Sequence, residues 1–411
     1  MPSIQEKFTQ FFGHAPSLMV QSPGRINLIG EHTDYNHGFV LPAAIDKYVQ
    51  IAFEHRTDGM IHMHAIDLNE TVIVQVHPLQ PHTITWVNYI IGVVAQVQDY
   101  LTYAVHNKET LYKLNEGFDI CIQGDIPIGA GLSSSAAVES AVIFALNEWY
   151  ALGLTKMQMA LMAQKAEHEF AGVKCGIMDM FASIHGEANQ VMLLDCQDLS
   201  FKYYPLQLND YCIVLFDTSI KHALASSEYN TRRLECEQGI KILQQTYPAI
   251  QTFRDVSVQQ VEECLSLYKD TKENINPSSV TTHQSLISTK VYQRCKYVVE
   301  EIERVQLAVK DLLVGDLHAF GQKMFATHRG LSELYEVSCP ELDVLVNAVK
   351  DNEHVLGARM MGGGFGGCTI NIIQSNEVEN IIAQVTEQYH HETHKKLHTY
   401  QVKIEQGTHI I

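Results

Sequence analysis

A glycine and serine stretch followed by a long apolar segment is the feature that most constrains this chain. Residues 125–138 read DIPIGAGLSSSAAV and continue into the apolar run ESAVIFALNEWY. Gly129 and Gly131 allow the backbone to approach a ligand closely, and the spacing of the following apolar residues predicts a buried helix. A helix N-terminus presents unpaired N–H groups and partial positive charge, so this junction predicts a site for an anion such as a nucleotide phosphate.

The same stretch has a simpler interpretation, in which the glycines form a turn and a serine caps the helix. It is not a Walker loop, because no Gly-Lys-Ser/Thr follows the glycines. The choice between a phosphate site and a plain capped helix therefore depends on the rest of the chain.

Length and charge narrow the class of protein. A chain of 411 residues with 46% hydrophobic content can bury a large core and is expected to form two domains. Its net charge of -18 argues against nucleic acid and anionic membranes as partners, since both require clustered Lys and Arg. We therefore expect a soluble protein that binds small molecules.

Cysteine content and segment composition indicate the compartment. The nine cysteines are odd in number and contain no CxxC pair, which favours neither a disulfide framework nor a zinc site. The first residues lack a signal-peptide pattern, and no segment reaches about 18 unbroken apolar residues. These observations predict a cytoplasmic protein without a membrane segment.

A polar loop near the N-terminus contains a dense set of functional groups. Arg25, Asn27, Glu31, His32 and Asp34 fall within ten residues, between apolar pieces that predict strands. Carboxylates accept hydrogen bonds from hydroxyls, and with a fixed cation beside them they suit a sugar. In the alternative interpretation the aspartate only forms a turn, and Arg25 pairs with Glu31 across a hairpin.

Two long motifs resemble known families. GRINLIGEHTDYNHGFVLPAAID, residues 24–46, resembles the galactokinase signature, and DIPIGAGLSSSAAV resembles the second motif of the GHMP small-molecule kinases. The resemblance implies that Glu31, His32 and Asp34 hold the sugar hydroxyls. It also implies that Arg25 lies beside the hydroxyl to be phosphorylated.

The resemblance also assigns the ATP and magnesium sites. It implies that a continuous loop cradles the phosphates, formed by Gly129, Ala130, Gly131, Leu132, Ser133, Ser134 and Ser135. By the same resemblance, Ser135 and Glu167 hold Mg²⁺. This pair is chemically reasonable, because magnesium keeps several waters and takes few protein ligands.

The segment AGVKCGIMDMF, residues 171–181, carries the implied catalytic group. In the resemblance Asp179 acts on the anomeric hydroxyl, and Gly176 and Tyr229 contact the sugar. A helix-face tyrosine packed in the core is the alternative for Tyr229. The chain departs from the family in one place, because Met180 replaces the usual glutamine, and we expect this change to affect the orientation of Asp179.

Residues 361–369, MGGGFGGCT, satisfy the spacing GxGxxG of dinucleotide-binding folds. That fingerprint requires a strand before the glycines and a helix after them. Here a helical pattern, ELDVLVNAVKDNEHVLGARM, precedes the glycines and a strand pattern, CTINIIQ, follows them. We therefore reject a dinucleotide site and assign these glycines to the third GHMP motif, which packs near the phosphate loop and the sugar.

Two further segments carry weaker signals. His390, His394 and His398 occur at the i, i+4 and i+8 positions of a possible helix face, a spacing that can bind a transition metal, although exposed helix histidines are commoner. Residues 268–284 are polar and predict a surface loop.

Two other segments predict scaffold elements. Residues 51–124 predict strands with one helix near Trp86 to Tyr103, and they carry no recognisable chemistry. Thr155 is expected to cap a helix that begins directly after it.

The combined prediction is an α+β protein with the two-domain GHMP kinase fold and an active site in the cleft between domains. Residues 1–205 and 206–411 are the expected domains, and the last strand, within TYQVKIEQG, could pair with either. The predicted function is magnesium-dependent transfer of the γ-phosphoryl group of ATP to the anomeric hydroxyl of galactose. This reaction gives galactose 1-phosphate and ADP, the entry step of galactose catabolism, and we expect a monomer.

Two other functions remain open at this point. One is a related kinase for N-acetylgalactosamine or another pentose or hexose. The other is a galactokinase-like sensor that binds galactose and ATP without useful catalysis. The uninterrupted GLSSSAAV motif, together with Arg25 and Asp179, favours the enzyme over the sensor.

Overall fold

The computed structural model describes residues 2–105, 114–127, 129–220, 225–265 and 289–411. Three sheets with helices packed against them confirm the predicted α+β class. The polar loop predicted at residues 268–284 lies outside the described residues.

A six-stranded sheet forms the centre of the N-terminal half. Its strands are β1 (Leu18–Asn27), β3 (Pro42–His55), β4 (Met60–Ala65), β5 (Glu70–Gln75), β6 (Gly117–Gly124) and β13 (His409–Ile410), in the order β13-β1-β3-β6-β4-β5. The pair β4 and β6 is parallel and the other pairs are antiparallel. The predicted strands around the polar loop are therefore β1 and β3, and the short strand β2 (Phe39–Val40) lies between them.

Within the part of the chain that the structure describes, five helices accompany this sheet. They are α1 (Ile4–Phe12), α2 (Thr85–Asp99), α3 (Ser134–Trp149), α4 (Lys156–Ala166) and α5 (Met178–His185). Helix α3 is the one predicted from the apolar run, and its residues belong to the largest hydrophobic cluster. Thr155 caps α4 as expected, because its side chain accepts a hydrogen bond from the Gln158 amide.

The other strands of the described residues belong to two smaller sheets. A four-stranded sheet has the order β10-β11-β9-β12, and a three-stranded sheet has the order β2-β7-β8. Their remaining strands are β7 (Gln190–Asp195), β8 (Phe201–Pro205), β9 (Tyr211–Asp217), β10 (Val355–Met360), β11 (Cys368–Gln374) and β12 (His398–Val402). The C-terminal helices are α6 (Ala225–Thr246), α7 (Val258–Leu265), α8 (Thr289–Val314), α9 (Leu317–Arg329), α10 (Pro340–Val349) and α11 (Val378–Thr393).

The C-terminal segment pairs with both large sheets. Strand β12 pairs with β9 in the four-stranded sheet, whereas β13 pairs with β1 at the edge of the six-stranded sheet. The largest hydrophobic cluster likewise contains residues from both halves of the chain. The division at residue 205 stays a prediction.

Within the described residues, no helix is both long and apolar enough to cross a membrane.

Candidate functional site

The glycine and serine loop adopts a conformation that leaves the start of α3 open. Gly129 and Gly131 have φ of 84° and 76°, in the left-handed region that glycine adopts without strain. Ser133 is also left-handed, with φ of 58°, and its side chain makes no capping hydrogen bond. The alternative of a plain serine cap is therefore wrong, and the first N–H groups of α3 lack a side-chain cap.

The third glycine-rich motif packs directly on this loop. The Cys368 amide donates to the Ala130 carbonyl at 3.1 Å, and a Cβ on Gly367 would lie 3.1 Å from the same oxygen. A strand, β10, precedes the glycines, so the expectation that a helix leads directly into them is wrong. The rejection of a dinucleotide fold still holds, because the following element is strand β11 and not a helix.

One cavity gathers the predicted sugar and catalytic residues from distant parts of the chain. Its volume is about 130 Å³. It is lined by all of the predicted sugar-binding and catalytic residues, Arg25, Glu31, His32, Asp34, Gly176, Asp179 and Tyr229, and also by Glu167 and by Gly362 and Gly363 of the third motif. Residues separated by more than 300 positions in sequence thus face one small space.

Arg25 connects the cavity to the glycine loop. Its Nε donates to Asp179 Oδ1 at 2.7 Å, and its Nη1 donates to the Gly131 carbonyl at 2.6 Å. The arginine side chain is 4% exposed and the aspartate side chain 26%. This geometry fixes a cation and a carboxylate side by side between the loop and the cavity.

Glu31 pairs with Arg359 and not with Arg25, the partner that a hairpin would give it. Its Oε1 accepts from both terminal nitrogens of Arg359, at 3.2 and 3.1 Å, and from the Gly362 amide at 2.8 Å. Arg359 is fully buried on β10 and also donates to the Leu28 carbonyl. Pairing of Glu31 with Arg25 is therefore wrong, and sequence reasoning missed Arg359 because it lies far along the chain.

His32 is held in the cavity wall by aromatic neighbours. Its Nδ1 lies 2.7 Å from the Tyr35 hydroxyl, and its ring centroid lies 5.3 Å from that of Tyr229. Burial, together with the charge of Arg232, lowers the pKa of His32 to about 3. The ring is therefore neutral and can hydrogen-bond a hydroxyl.

Asp34 packs against Gly176 in the wall of the same cavity. A Cβ at Gly176 would lie 1.8 Å from Asp34 Oδ2, so only glycine leaves room for this carboxyl. Burial, followed by the charge of Asp179, raises the pKa of Asp34 to about 7. The Asp34 carboxyl is thus partly protonated near neutral pH.

Ser135 and Glu167, the predicted magnesium ligands, also lie together. The Ser135 hydroxyl donates to Glu167 Oε1 at 3.3 Å, across from the first turn of α3. Glu167 begins a π-helical turn, Glu167–Ala171, directly after α4 and is buried. Burial, and then the charge of Asp179, raises the pKa of Glu167 to about 7. A hydroxyl and a buried carboxyl are oxygen donors of the kind that a hard divalent cation takes, so these residues fit the implied ion.

An apolar cavity beside the serines was missed by the sequence analysis, which assigned residues 51–124 to the scaffold. Its volume is about 520 Å³, and its wall includes Trp86 and Tyr89 of α2 together with Ser134 and Ser135. The Trp86 indole N–H donates to Glu70 Oε2 at 2.7 Å, which fixes the ring. An apolar cavity with aromatic walls next to a phosphate loop can hold a nucleotide base.

The remaining predicted features lie outside the cavity. Met180 is fully buried in the main hydrophobic cluster, and its neighbour Asp179 accepts a hydrogen bond from Arg25, so the effect of Met180 on the orientation of Asp179 stays a prediction. Helix α11 ends at Thr393 and His394 is left-handed with φ of 57°, so the three C-terminal histidines do not share a helix face. Within the described residues, no cluster of three or more His, Cys, Asp or Glu could hold a metal ion.

Family models match three parts of the chain. The galactokinase galactose-binding signature matches residues 6–55, the N-terminal domain of GHMP kinases matches residues 88–187, and the C-terminal domain of GHMP kinases matches residues 308–391. These ranges contain the polar loop, the glycine and serine loop and the third glycine motif, respectively.

Curated relatives and solved structures extend these matches over the chain. Galactokinase from Roseiflexus sp. is 35% identical over 98% of this chain and 95% of its own length. Galactokinase from Thermotoga maritima is 37% identical over 90% of this chain and 94% of its own length. The structure of Lactococcus lactis galactokinase complexed with galactose matches with a TM-score of 0.87 and 31% identity, covering 99% of this chain and 98% of the other. Methanococcus jannaschii mevalonate kinase shares the fold, with a TM-score of 0.62 and 18% identity over 94% of this chain and 98% of its own.

Proposed function

This chain belongs to the galactokinase family of the GHMP kinases and is an ATP-dependent sugar kinase, and on this premise we propose how its residues phosphorylate galactose. The proposal rests on one observation above the others. Seven residues predicted to bind or activate the sugar line a single cavity that adjoins the glycine and serine loop.

The sugar is held by groups that read hydroxyls. Asp34 and the free oxygen of Glu31 accept hydrogen bonds from the sugar, and neutral His32 contributes a further polar contact. Tyr229 covers one wall of the cavity with its ring. Asp179 lines the same small cavity, and in the proposed arrangement the sugar lies against it.

The nucleotide lies beside the sugar cavity, along the glycine and serine loop. The start of α3 and the loop Gly129–Ser135 bind the phosphates through backbone N–H groups and serine hydroxyls. The base lies in the apolar cavity against Trp86 and Tyr89. Ser135 and Glu167 would hold Mg²⁺, which when bound supplies positive charge to the phosphates.

Catalysis then depends on the pair Arg25 and Asp179. Phosphoryl transfer asks the protein mainly to align two substrates and to stabilise spread negative charge. Asp179 orients the anomeric hydroxyl and accepts its proton, while Arg25 neutralises charge on the transferring group. Because Arg25 also donates to the Gly131 carbonyl, one side chain sets the distance between the phosphate loop and Asp179.

The test measures ADP release from magnesium-ATP with galactose, glucose, N-acetylgalactosamine and arabinose supplied separately. We expect release with galactose, and a loss of about 10²- to 10⁴-fold in kcat for Asp179→Asn with galactose binding retained. ADP release only with another sugar would change the assigned substrate but not the proposed mechanism. Galactose binding without release by the parent protein would favour the sensor, and near-normal turnover by Asp179→Asn would remove the role of Asp179.

The compartment and the oligomeric state of the protein are also proposed. All nine cysteines are free, which suits a reducing compartment, and we propose that the protein is a cytoplasmic monomer. Sedimentation at micromolar concentration tests the monomer, and a dimer there would refute it.

A further inference from the structure

Glu139 is a buried acid that the proposed reaction does not use. It lies on α3 one turn after Ser135, and this spacing of four residues places both side chains on one face of the helix. Glu139 is fully buried. Within the described residues, neither of its carboxyl oxygens accepts a hydrogen bond from an amide, hydroxyl or basic group, and its polar neighbour is the carboxyl of Glu167.

The surroundings of Glu139 are themselves acidic. Burial, followed by the charge of Glu167, raises the pKa of Glu139 well above its usual value, and Asp179 adds to this effect. Glu139 and Glu167 also act together on Tyr89, whose pKa is raised by burial and by both carboxyl charges. Ser135 shares this face of α3 with Glu139, and its hydroxyl donates to Glu167 Oε1 at 3.3 Å, so the Glu139 carboxyl lies on the side of α3 that faces Glu167.

Two buried carboxyl groups in one space require either a proton or a cation between them, since their charges repel. A divalent cation supplies that countercharge and takes carboxylate and hydroxyl oxygens as ligands. We propose that Glu139 is a further carboxylate of the divalent-cation site, facing the ion from α3 beside Ser135 and opposite Glu167. This inference rests on the proposed function, in which Ser135 and Glu167 hold the ion.

The test uses Mn²⁺ as the probe, titrated calorimetrically into the protein with a non-hydrolysable ATP analogue present. Glu139→Gln keeps the shape of the side chain and removes its charge, and we expect the Kd for Mn²⁺ to rise about 10- to 100-fold. Glu148→Gln is the matched control, because it removes the same charge from an exposed position on the same helix. The control should bind Mn²⁺ like the parent.

Thermal unfolding separates metal binding from folding. Without metal, Glu139→Gln should melt no lower than the parent because it removes repulsion between buried carboxyl groups, while the upward shift in Tm caused by Mn²⁺ should shrink. Should Glu139→Gln fail to fold, Glu139→Asp takes its place, and its shorter side chain should also weaken Mn²⁺ binding.

Glu167→Gln distinguishes failure of this inference from failure of the proposed function. Parent-like Mn²⁺ binding by the Glu139 variant, with binding lost in Glu167→Gln, would overturn the role of Glu139 and keep the proposed site. Parent-like binding by both variants would overturn the metal site as a whole, and this inference with it.

Discussion

Asp34 shows how burial changes the chemistry of a single residue in this site. The carboxyl lies in the cavity close to Asp179, and burial with that neighbouring charge raises its pKa to about 7. The shift favours the folded state at low pH. That contribution is complete below the unfolded pKa near 3.8 and is lost as the pH rises towards 7. Galactose binding should have the opposite dependence, because sugar hydroxyls donate to the ionised form.

We therefore predict that galactose affinity, measured without ATP or metal, increases as the pH rises from about 5.5 to 8 and then levels off. The increase should approach tenfold per pH unit well below the pKa. Asp34→Asn is the control and should bind more weakly with little dependence on pH. A parent affinity that stays constant over this range would contradict the assignment.

Met180 gives a prediction about stability. Its side chain is fully buried in the main cluster, so Met180→Gln places an amide among apolar groups. We expect the free energy of unfolding to fall by about 1–3 kcal/mol, because the amide loses its hydrogen bonds to water. Urea unfolding measures this change. Met157→Gln is the control, because Met157 is only partly buried and should cost less.

Met180→Gln also gives a prediction about the turnover rate. Because Arg25 donates directly to Asp179 Oδ1 and the Met180 side chain is buried in the core, we expect kcat for Met180→Gln to stay within about twofold of the parent, measured under conditions where both are folded. A rise in kcat of tenfold or more would instead mean that the usual glutamine assists Asp179.

At the level of elements, the start of α2 and the start of α3 form the two walls of the nucleotide region. Trp86 lies in the first turn of α2, and Ser134 and Ser135 begin α3. The same apolar cavity contacts both helix starts. In the proposed function, the base and the phosphates are thus bound at the starts of different helices, and the packing of these helices against each other sets the distance between the two subsites.

Trp86→Ala tests this arrangement. Loss of an aromatic wall should weaken ATP binding by about 1–3 kcal/mol, which corresponds to a rise of about 5- to 150-fold in the KM for ATP. The Kd for galactose should not change. Tyr103→Ala is the control because Tyr103 is 75% exposed in the turn that follows α2. Equal effects of the two substitutions on the KM for ATP would contradict the base site.

Across the whole molecule, Arg359 connects the four-stranded sheet to the sugar loop. It lies on β10 and binds Glu31 and the Leu28 carbonyl, which follow strand β1 of the six-stranded sheet. Arg359 is fully buried and Glu31 is 2% exposed. The sugar site is therefore complete only when the two sheets are docked.

We predict that Arg359→Met lowers the free energy of unfolding by about 3–5 kcal/mol, because it leaves the Glu31 carboxylate buried without its partner. The double substitution Arg359→Met with Glu31→Gln should recover part of this loss. Urea unfolding of the parent, both single variants and the double variant measures the coupling. Additive losses in the double variant would show that the pair does not interact.

The local elements and most of the candidate site could be predicted from the sequence by itself. The apolar run after the serines predicted α3, and Thr155 predicted the start of α4, because helix periodicity and capping depend on neighbouring residues. The family resemblance of residues 24–46 likewise predicted Arg25 and Glu31, and that of residues 171–181 predicted Asp179, because each is a local sequence motif.

Only the tertiary structure decided what depends on residues far apart in the chain. The Arg359 partner of Glu31, the cavity beside Trp86 and the orphaned carboxyl of Glu139 all arise from packing between distant segments. The same is true of the strand predicted within TYQVKIEQG, whose sequence suits either sheet; it forms β12, which pairs with β9 of the four-stranded sheet. Burial sets the pKa of Asp34 and Glu167 in the same way, because the dielectric around a carboxyl is a property of the folded molecule.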